Sequence, residues 1–367
     1  MSMTNHLRSL LRRRRRLGIL GAAALVVVVG PVLFLATRGD GEPKPPTTTV
    51  TTTTTVPTTT TTAPTTTTTA PPVAPLTGRQ GDFKGRLKRP ALFVKIDNVS
   101  AARPQSGLNH ADIVIEEPVE GNLTRLAAVF HSRNAPAVGP VRSVRTSDLE
   151  LVPLFRRPLF ASSGGNNGVV PQLAEANVVD VGMNVSAAGF RRSPHRPAPH
   201  NLYSSTRELY AKAPESPKRP KPVFSYLGRR ERLPRGAKPV GGIALRFGGP
   251  EVSRFTWDAA SGTWLRSQSG TPHVGVGGRR VSPKNVVVLG INYDYSNQRG
   301  RSVPHAVVTG KGPAVVLTRG KAVEGTWRRP TLGHPLRLVA ANGKTEIKLT
   351  PGQTFIELPQ RGGWSFF

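Results

Sequence analysis

The residues with the most chemical promise lie in Gly139-Pro-Val-Arg-Ser-Val-Arg-Thr-Ser-Asp148. Arg142 and Arg145 stand three apart, and Arg125 is close upstream. A strand over residues 126–131 should run in ahead of them. Thr146, Ser147 and Asp148 can cap a helix whose apolar face continues through Phe155. Guanidinium groups would then sit where a strand hands over to a helix start. Helix N–H donors and fixed positive charge point the same way there, so the place suits an anion. Arg125, Arg142, Arg145 and Asp148 are the first candidate site residues.

Three carboxylates, Glu116, Glu117 and Glu120, fall within five positions. Such a group can bind a metal or hold a general base. No histidine lies at ligand spacing, however, and the spacing fits no calcium loop, so no metal or cofactor is expected. Pairing with Arg125, Arg142 and Arg145 is the plainer expectation. That network either pre-orients guanidiniums for a planar anion or is purely structural. The run from Ser162 to Gly168 offers Ser163, Gly164 and Asn166 as a glycine-rich loop whose N–H groups can approach an anion. It has neither the Lys-Ser/Thr of a phosphate loop nor a dinucleotide fingerprint, and Ser162 and Ser163 lack a nucleophile elbow. Its interest is positional: it and the Arg142 loop should meet at the same strand ends. In a basic, proline-broken stretch after Arg191, His200 is a candidate acid/base, with Asn201 or Tyr203 as a donor to sugar or phosphate. A hydrogen bond within the loop is the plainer role.

To position these groups the chain needs strands over 91–96, 112–116, 125–131, 159–162 and 178–181, with helices over 149–157 and 169–177 between them. Strands alternating with helices indicate an α/β or α+β domain over 83–211. Residues 212–238 are rich in proline and charge, and read as a linker or long surface loop. Beyond them short strands separated by turn signals such as Asn342-Gly343 describe a mainly antiparallel β domain over 239–360. Its strands are expected over 243–247, 252–257, 263–267, 285–289, 306–308, 314–317, 322–327, 346–349 and 354–358. The four tryptophans fall on strands or near the end, which favours core packing over a stacking platform, and no nucleic-acid partner is expected.

The amino-terminal region reads differently. Arg12 to Arg16 are consecutive, and the residues from Leu17 to Ala36 carry no charge. Residues 17–36 are long enough to cross a bilayer, and the positive cluster keeps residues 1–16 cytoplasmic. A cleaved signal peptide is the alternative, but the apolar run is long for one and lacks a small-x-small cleavage site. Residues 37–82 are dominated by threonine and proline and read as a disordered stalk, with the folded part starting near Phe83. The chain carries a net charge of +30, and only eight of its 51 basic and two of its 21 acidic residues precede Thr47. The basic excess therefore belongs mostly to the folded part and suggests an acidic partner, although a compositional bias toward arginine would leave the same excess. With no cysteine, disulfides, thiol catalysis and a cysteine-linked lipid are all excluded.

Arg103-Pro-Gln-Ser-Gly107, Glu120-Gly121, Thr124-Arg125, Gly139-Pro-Val-Arg-Ser143 and Pro199-His-Asn-Leu-Tyr203 resemble the N-terminal half of the bacterial DUF3048 proteins. Thr256-Trp257, Thr271-Pro-His273, Asn285-Val-Val287 and Gly325-Thr-Trp327 resemble their C-terminal half. The resemblance covers residues 83–358. It implies an envelope-anchored, extracytoplasmic, two-part protein and no particular activity. The chain departs from the family pattern in having an apolar span where lipoprotein members have a lipidated cysteine. It also has Val274 after His273, where an acid is expected. The expectation for function is a membrane-anchored protein binding an anionic envelope polymer or precursor through an arginine-lined cleft. Alternatives are a hydrolase or transferase using those arginines with Glu116, Glu120 or His200, and a scaffold in an envelope complex.

Overall fold

The computed structural model describes residues 70–166, 168–298 and 301–367. The basic tail, the apolar span over 17–36 and most of the stalk lie outside the described residues. Among the described residues no helix is long and apolar enough to cross a membrane.

The first half supplies β1 (Leu92–Asp97), β2 (Ile113–Val119), β3 (Leu123–Phe130), α1 (Thr146–Leu151), β4 (Leu159–Ala161), α2 (Val169–Glu175), β5 (Val179–Asp180), β6 (Arg191–Arg192), β7 (Leu202–Tyr203) and α3 (Thr206–Tyr210). The second half is almost all strand. It comprises β8 (Lys238–Pro239), β9 (Gly242–Arg246), β10 (Val252–Asp258), β11 (Thr263–Gln268), β12 (Thr271–Pro272), β13 (Asn285–Leu289), β14 (Asn292–Gln298), β15 (Arg301–Val307), β16 (Gly310–Thr318), β17 (Lys321–Arg329), β18 (Arg337–Ala340), β19 (Thr354–Glu357) and β20 (Trp364–Phe366). The first half is mixed α/β and the second mainly antiparallel β.

Both halves build one central sheet, ordered β18-β17-β16-β13-β19-β2-β3-β1-β4-β5. The joint is β19, which runs parallel to β13 on one side and to β2 on the other, pairing Thr354 with Ile113 and Glu357 with Glu116. A strand from near the end of the chain thus completes the ladder of the first half, and the sheet crosses the boundary that the sequence suggests at 212–238. That stretch is itself built in: Val223, Phe224 and Leu227 are buried, and Leu227 N–H donates to Leu349 O at 2.8 Å.

Each sheet face has its own core, because strand side chains alternate between faces. Phe93, Ile113, Ile115, Ala127 and Phe160 pack under α1, α2 and the hairpin of β14 and β15. Leu92, Val94, Val114, Leu126 and Phe355 face Ile243, Leu245, Phe255 and Trp264 of a five-stranded sheet ordered β12-β11-β10-β9-β20. The fold begins before Phe83, since Ala74 and Leu76 are fully buried. Residues 346–349 contribute isolated bridges to Val339 and Tyr226 rather than the expected strand. The helix expected over 149–157 is shorter and starts earlier, giving way at Val152 to a 3₁₀ turn with Pro153.

Candidate functional site

Asp97 ends β1 and is fully buried. On the same sheet face stand Lys95, two positions back, and Arg125, which lies directly opposite Asp97 on β3. The segment after Gly139 continues this side of the sheet: Asp97 N–H donates to Pro140 O at 2.9 Å and Arg142 N–H to Lys95 O at 3.0 Å. The segment around Tyr203 then pairs with it, through Val138 N–H to Ser204 O at 2.8 Å and Val141 N–H to Leu202 O at 2.7 Å. Two distant motifs, one carrying Arg142 and one carrying His200, are thereby laid side by side over Asp97. Gly139 permits the approach. It has φ +151°, and a Cβ there would lie 2.7 Å from both Leu202 O and the Tyr203 ring.

Three cationic or potentially cationic groups converge on the Asp97 carboxylate. Arg125 Nη1 lies 3.0 Å from Oδ1, and His200 Nδ1 lies 2.7 Å from Oδ2. Arg142 Nε lies 3.0 Å from Oδ2 as an ion pair, out of line for a hydrogen bond. Burial lowers the pKa of Arg125 to about 10, with the Asp97 charge opposing and the Arg142 and Arg145 charges adding to the fall. Arg125 is nearly inaccessible, whereas the side chains of Arg142 and His200 remain 19 % and 21 % exposed. Arg142 Nη1 and Nη2 and His200 Nε2 have no partner among the described residues. They form a donor-bearing edge held from behind by a buried carboxylate.

The remaining expected residues are placed as follows. Arg145 is used up: Nε donates to Glu120 Oε2 at 2.7 Å, Nη2 to Glu120 Oε1, and Nη1 to Val144 O at 2.9 Å. Burial disfavours ionised Glu120, but bonding and charge from Arg145 outweigh it and hold the carboxyl below its usual range. Asp148 caps α1 by accepting from Arg145 N–H at 2.7 Å, and its other oxygen lies 2.7 Å from Lys95 Nζ. The Asp148 carboxylate thus turns back over the helix start toward Arg145 N–H and Lys95. Ser163 N–H donates to Arg142 O at 3.0 Å and Val144 N–H to Gly164 O at 2.8 Å, so the two loops do meet, and Ser163 N–H is spent in joining them. Asn166 Oδ1 accepts from Val169 N–H at 3.1 Å at the start of α2. Asn201 accepts from Arg192 Nη1 at 2.8 Å, which braces its own turn. The Tyr203 ring packs against Gly139, and burial raises its hydroxyl pKa.

Glu116 and Glu117 are adjacent on β2 and so point to opposite faces. Glu117 joins Lys95 and Asp148 beneath the arginines; burial first, then the Asp148 charge, raises its pKa to about 7 despite Lys95. Burial works against the Lys95 ammonium, but Asp148 and Glu117 outweigh it and raise its pKa. Glu116 belongs to the other core, where it pairs with Arg266 Nη2 at 2.6 Å and accepts from Asn98, Thr124 and Ser253. Glu357 lies beside it and is fully buried. Burial and then the Glu116 charge push the Glu357 pKa well up. Glu116 thus cannot serve the arginine edge. Sequence reasoning missed Asp97, Lys95, Arg266 and Glu357. For the first two a signal existed, since Lys95 and Asp97 interrupt an otherwise apolar strand. Glu357 carries the same mark in Thr354-Phe-Ile-Glu-Leu358, whereas Arg266 lies in a strand that mixes polar and apolar residues and shows none.

Two clefts in the described surface have other walls. One, about 580 Å³, is lined by Val119, Gly121, Asn122, Phe247, Tyr295 and Gln360, beyond the turn that carries Glu120. The other, about 320 Å³, lies beside Arg103 and His273. Among the described residues no group of three or more His, Cys, Asp or Glu side chains is arranged to hold a metal ion.

Comparison with known proteins gives a consistent relationship. Residues 76–219 match the N-terminal domain, and residues 243–356 the C-terminal domain, of the family described as protein of unknown function (DUF3048). The Bacillus subtilis (strain 168) protein named "Putative lipoprotein YerB" is 29 % identical over 299 residues, spanning 78 % of this chain and 85 % of the relative. The crystal structure of YerB from Bacillus subtilis superposes with a TM-score of 0.69 at 24 % identity, covering 80 % of this chain and 99 % of that one. At that identity it supports the fold alone.

Proposed function

The chain belongs to the DUF3048 family, and we propose that this member is a membrane-associated, extracytoplasmic protein that binds an anionic envelope polymer or precursor at the Arg142–His200 edge. The location is supported by the lipoprotein name of the Bacillus relative and by the uncharged run over residues 17–36. One observation carries the binding reading: Arg142 Nη1 and Nη2 and His200 Nε2 are unpartnered among the described residues, while buried Asp97 fixes both side chains from behind. Of the three guanidiniums Arg142 is the most accessible. Arg125 and Arg145 act as support, so the site is an edge and narrower than a cleft lined by three free arginines.

The test is calorimetric titration of the protein with poly(glycerol phosphate), with polygalacturonate and with neutral dextran. Arg142→Ala is expected to weaken binding of a charged polymer by about 1–3 kcal/mol, the worth of a charge-assisted hydrogen bond, while the fold survives. Unchanged binding would overturn the reading.

The Asp97–His200 contact supports a second reading. A carboxylate 2.7 Å from Nδ1 fixes the ring and leaves Nε2 to move a proton. A hydrolase or transferase acting on the bound polymer would then use His200 as its acid/base, with Arg142 stabilising developing charge. That reading requires the protein to cleave or transfer chains of poly(glycerol phosphate), and His200→Gln to abolish turnover while retaining binding. A polymer left intact after prolonged incubation would rule it out for that substrate class.

A further inference from the structure

Two of the motifs that resemble the family remain outside the arginine edge: Arg103-Pro-Gln-Ser-Gly107 and Thr271-Pro-His273. They come from different halves of the chain and meet on the other sheet face. Gln105 Oε1 lies 2.7 Å from His273 Nε2, and Val276 N–H donates to Gln105 O at 3.0 Å. His273 Nδ1 is in contact with Arg266 Nη1. An arginine only donates, so Nδ1 must accept, and Nε2 carries the proton given to Gln105. The ring is therefore neutral, in keeping with burial and the charges of Arg266, Arg103 and Arg280, which hold its pKa well below the usual value. Gln105 is fixed in turn by donating to Asp97 O and Asn98 Oδ1. The result is a rigid, hydrogen-bonded floor.

Over that floor opens the cleft of about 320 Å³, walled by Pro104, Pro272, Val274 and Thr271, with Gln268, His273 and Arg103 at its base and side. Its size is at the low end for small-molecule sites. The walls are mainly apolar. Among the described residues Arg103 is the one charged side chain lining the cleft; it is partly exposed, and its ion pair there is a loose one, Nη2 to Glu251 at 3.5 Å. Glu251 also limits what can enter. Its carboxylate beside Arg103 repels a dianion more than a monoanion, and a planar fork of N–H donors matches a carboxylate.

We propose that this cleft is a second ligand site, taking a small monocarboxylate whose apolar body packs between Pro104 and Pro272 while its carboxylate meets Arg103. The site lies on the opposite face of the central sheet from the Arg142 edge.

The experiment is titration of the full-length protein, followed by NMR or calorimetry, with cyclohexanecarboxylate, its uncharged carboxamide and inorganic phosphate. The carboxylate is expected to saturate, with the carboxamide and phosphate at least tenfold weaker. Arg103→Gln should bring the carboxylate down to the level of the carboxamide, and Arg142→Ala should leave it unchanged. Equal binding of carboxylate and carboxamide would overturn the proposal in favour of a purely apolar cleft, and absence of saturable carboxylate binding would overturn it outright. The comparison of the two ligands on unmodified protein decides the matter even if Arg103→Gln fails to fold. Failure of polymer binding at Arg142 leaves this outcome untouched.

Discussion

Asp97 balances two guanidiniums and holds an imidazole with one carboxylate, and those partners differ in how much they depend on it. Arg125 is almost wholly buried, so Asp97→Ala leaves a desolvated charge without its counter-ion, a loss of about 3–5 kcal/mol. Arg142 is partly in water, and Arg142→Ala is expected to cost about 1 kcal/mol or less. Urea denaturation of the two variants checks this contrast, and equal effects would deny Asp97 its place as the hub. Glu117 gives a pH signature at the same scale. Burial raises its carboxyl pKa from the usual 4.5 to about 7 in the folded state, so over that window the folded state holds a proton that the unfolded state has released. The contribution of this group is full below about pH 4.5 and is lost as pH rises through 7. Glu117→Gln should therefore flatten the fall in stability between pH 5 and 7, by at most about 1.4 kcal/mol per pH unit, the limit for one proton. A slope identical to that of the unmodified protein would contradict the assignment.

The Gly139 segment is the element on which the site's geometry turns. Gly139→Ala puts a methyl group against Leu202 O and the Tyr203 ring, in a backbone region that L side chains rarely adopt. Prising the two segments apart should cost about 1–3 kcal/mol and move His200 away from Asp97. The measurable result is a changed His200 ring resonance together with a lowered melting temperature; an unchanged ring environment would show that the close approach does not position the histidine. Much at this scale was legible in the sequence. The apolar runs give strands over 91–96, 112–116 and 125–131, which lie over 92–97, 113–119 and 123–130, the second running on through Glu116 and Glu117 to Val119; the meeting of the Ser163 and Arg142 loops follows from both lying at strand ends. What was not legible is which charge partners which. Glu116 and Glu117 look like neighbours in a list, but pleating sends them to opposite faces, and Arg266, the partner of Glu116, is 150 residues away. Likewise nothing local to Asp148 says that Lys95 will reach it.

For the whole molecule, the telling feature is β19, a four-residue strand that is entirely buried and hydrogen-bonded on both edges. The composition break at 212–238 suggested separable domains, because local patterning carries no record of a strand inserted from 241 residues downstream. The consequence is testable. The piece over 76–219 alone would expose the β2 edge and the apolar faces that β19 and β9 to β11 cover, so it is expected to aggregate or remain unfolded. The two pieces produced together should co-purify as a folded complex, as judged by circular dichroism and gel filtration. Independent folding of the first piece would contradict this account of the sheet.

The basic excess of the chain sets the condition for testing the central claim, since any polyanion will adhere weakly to a surface of net charge +30. The most direct measurement compares poly(glycerol phosphate) affinity, at physiological salt, for the unmodified protein, for Arg142→Ala and for Lys344→Ala, which removes the same charge from an exposed turn far along the chain. The account predicts that Arg142→Ala weakens binding by about 5- to 150-fold while Lys344→Ala stays within about twofold, as expected for one screened surface charge. Equal, small losses in both variants would show that the polymer sees only overall charge and would contradict a site at Arg142 and His200.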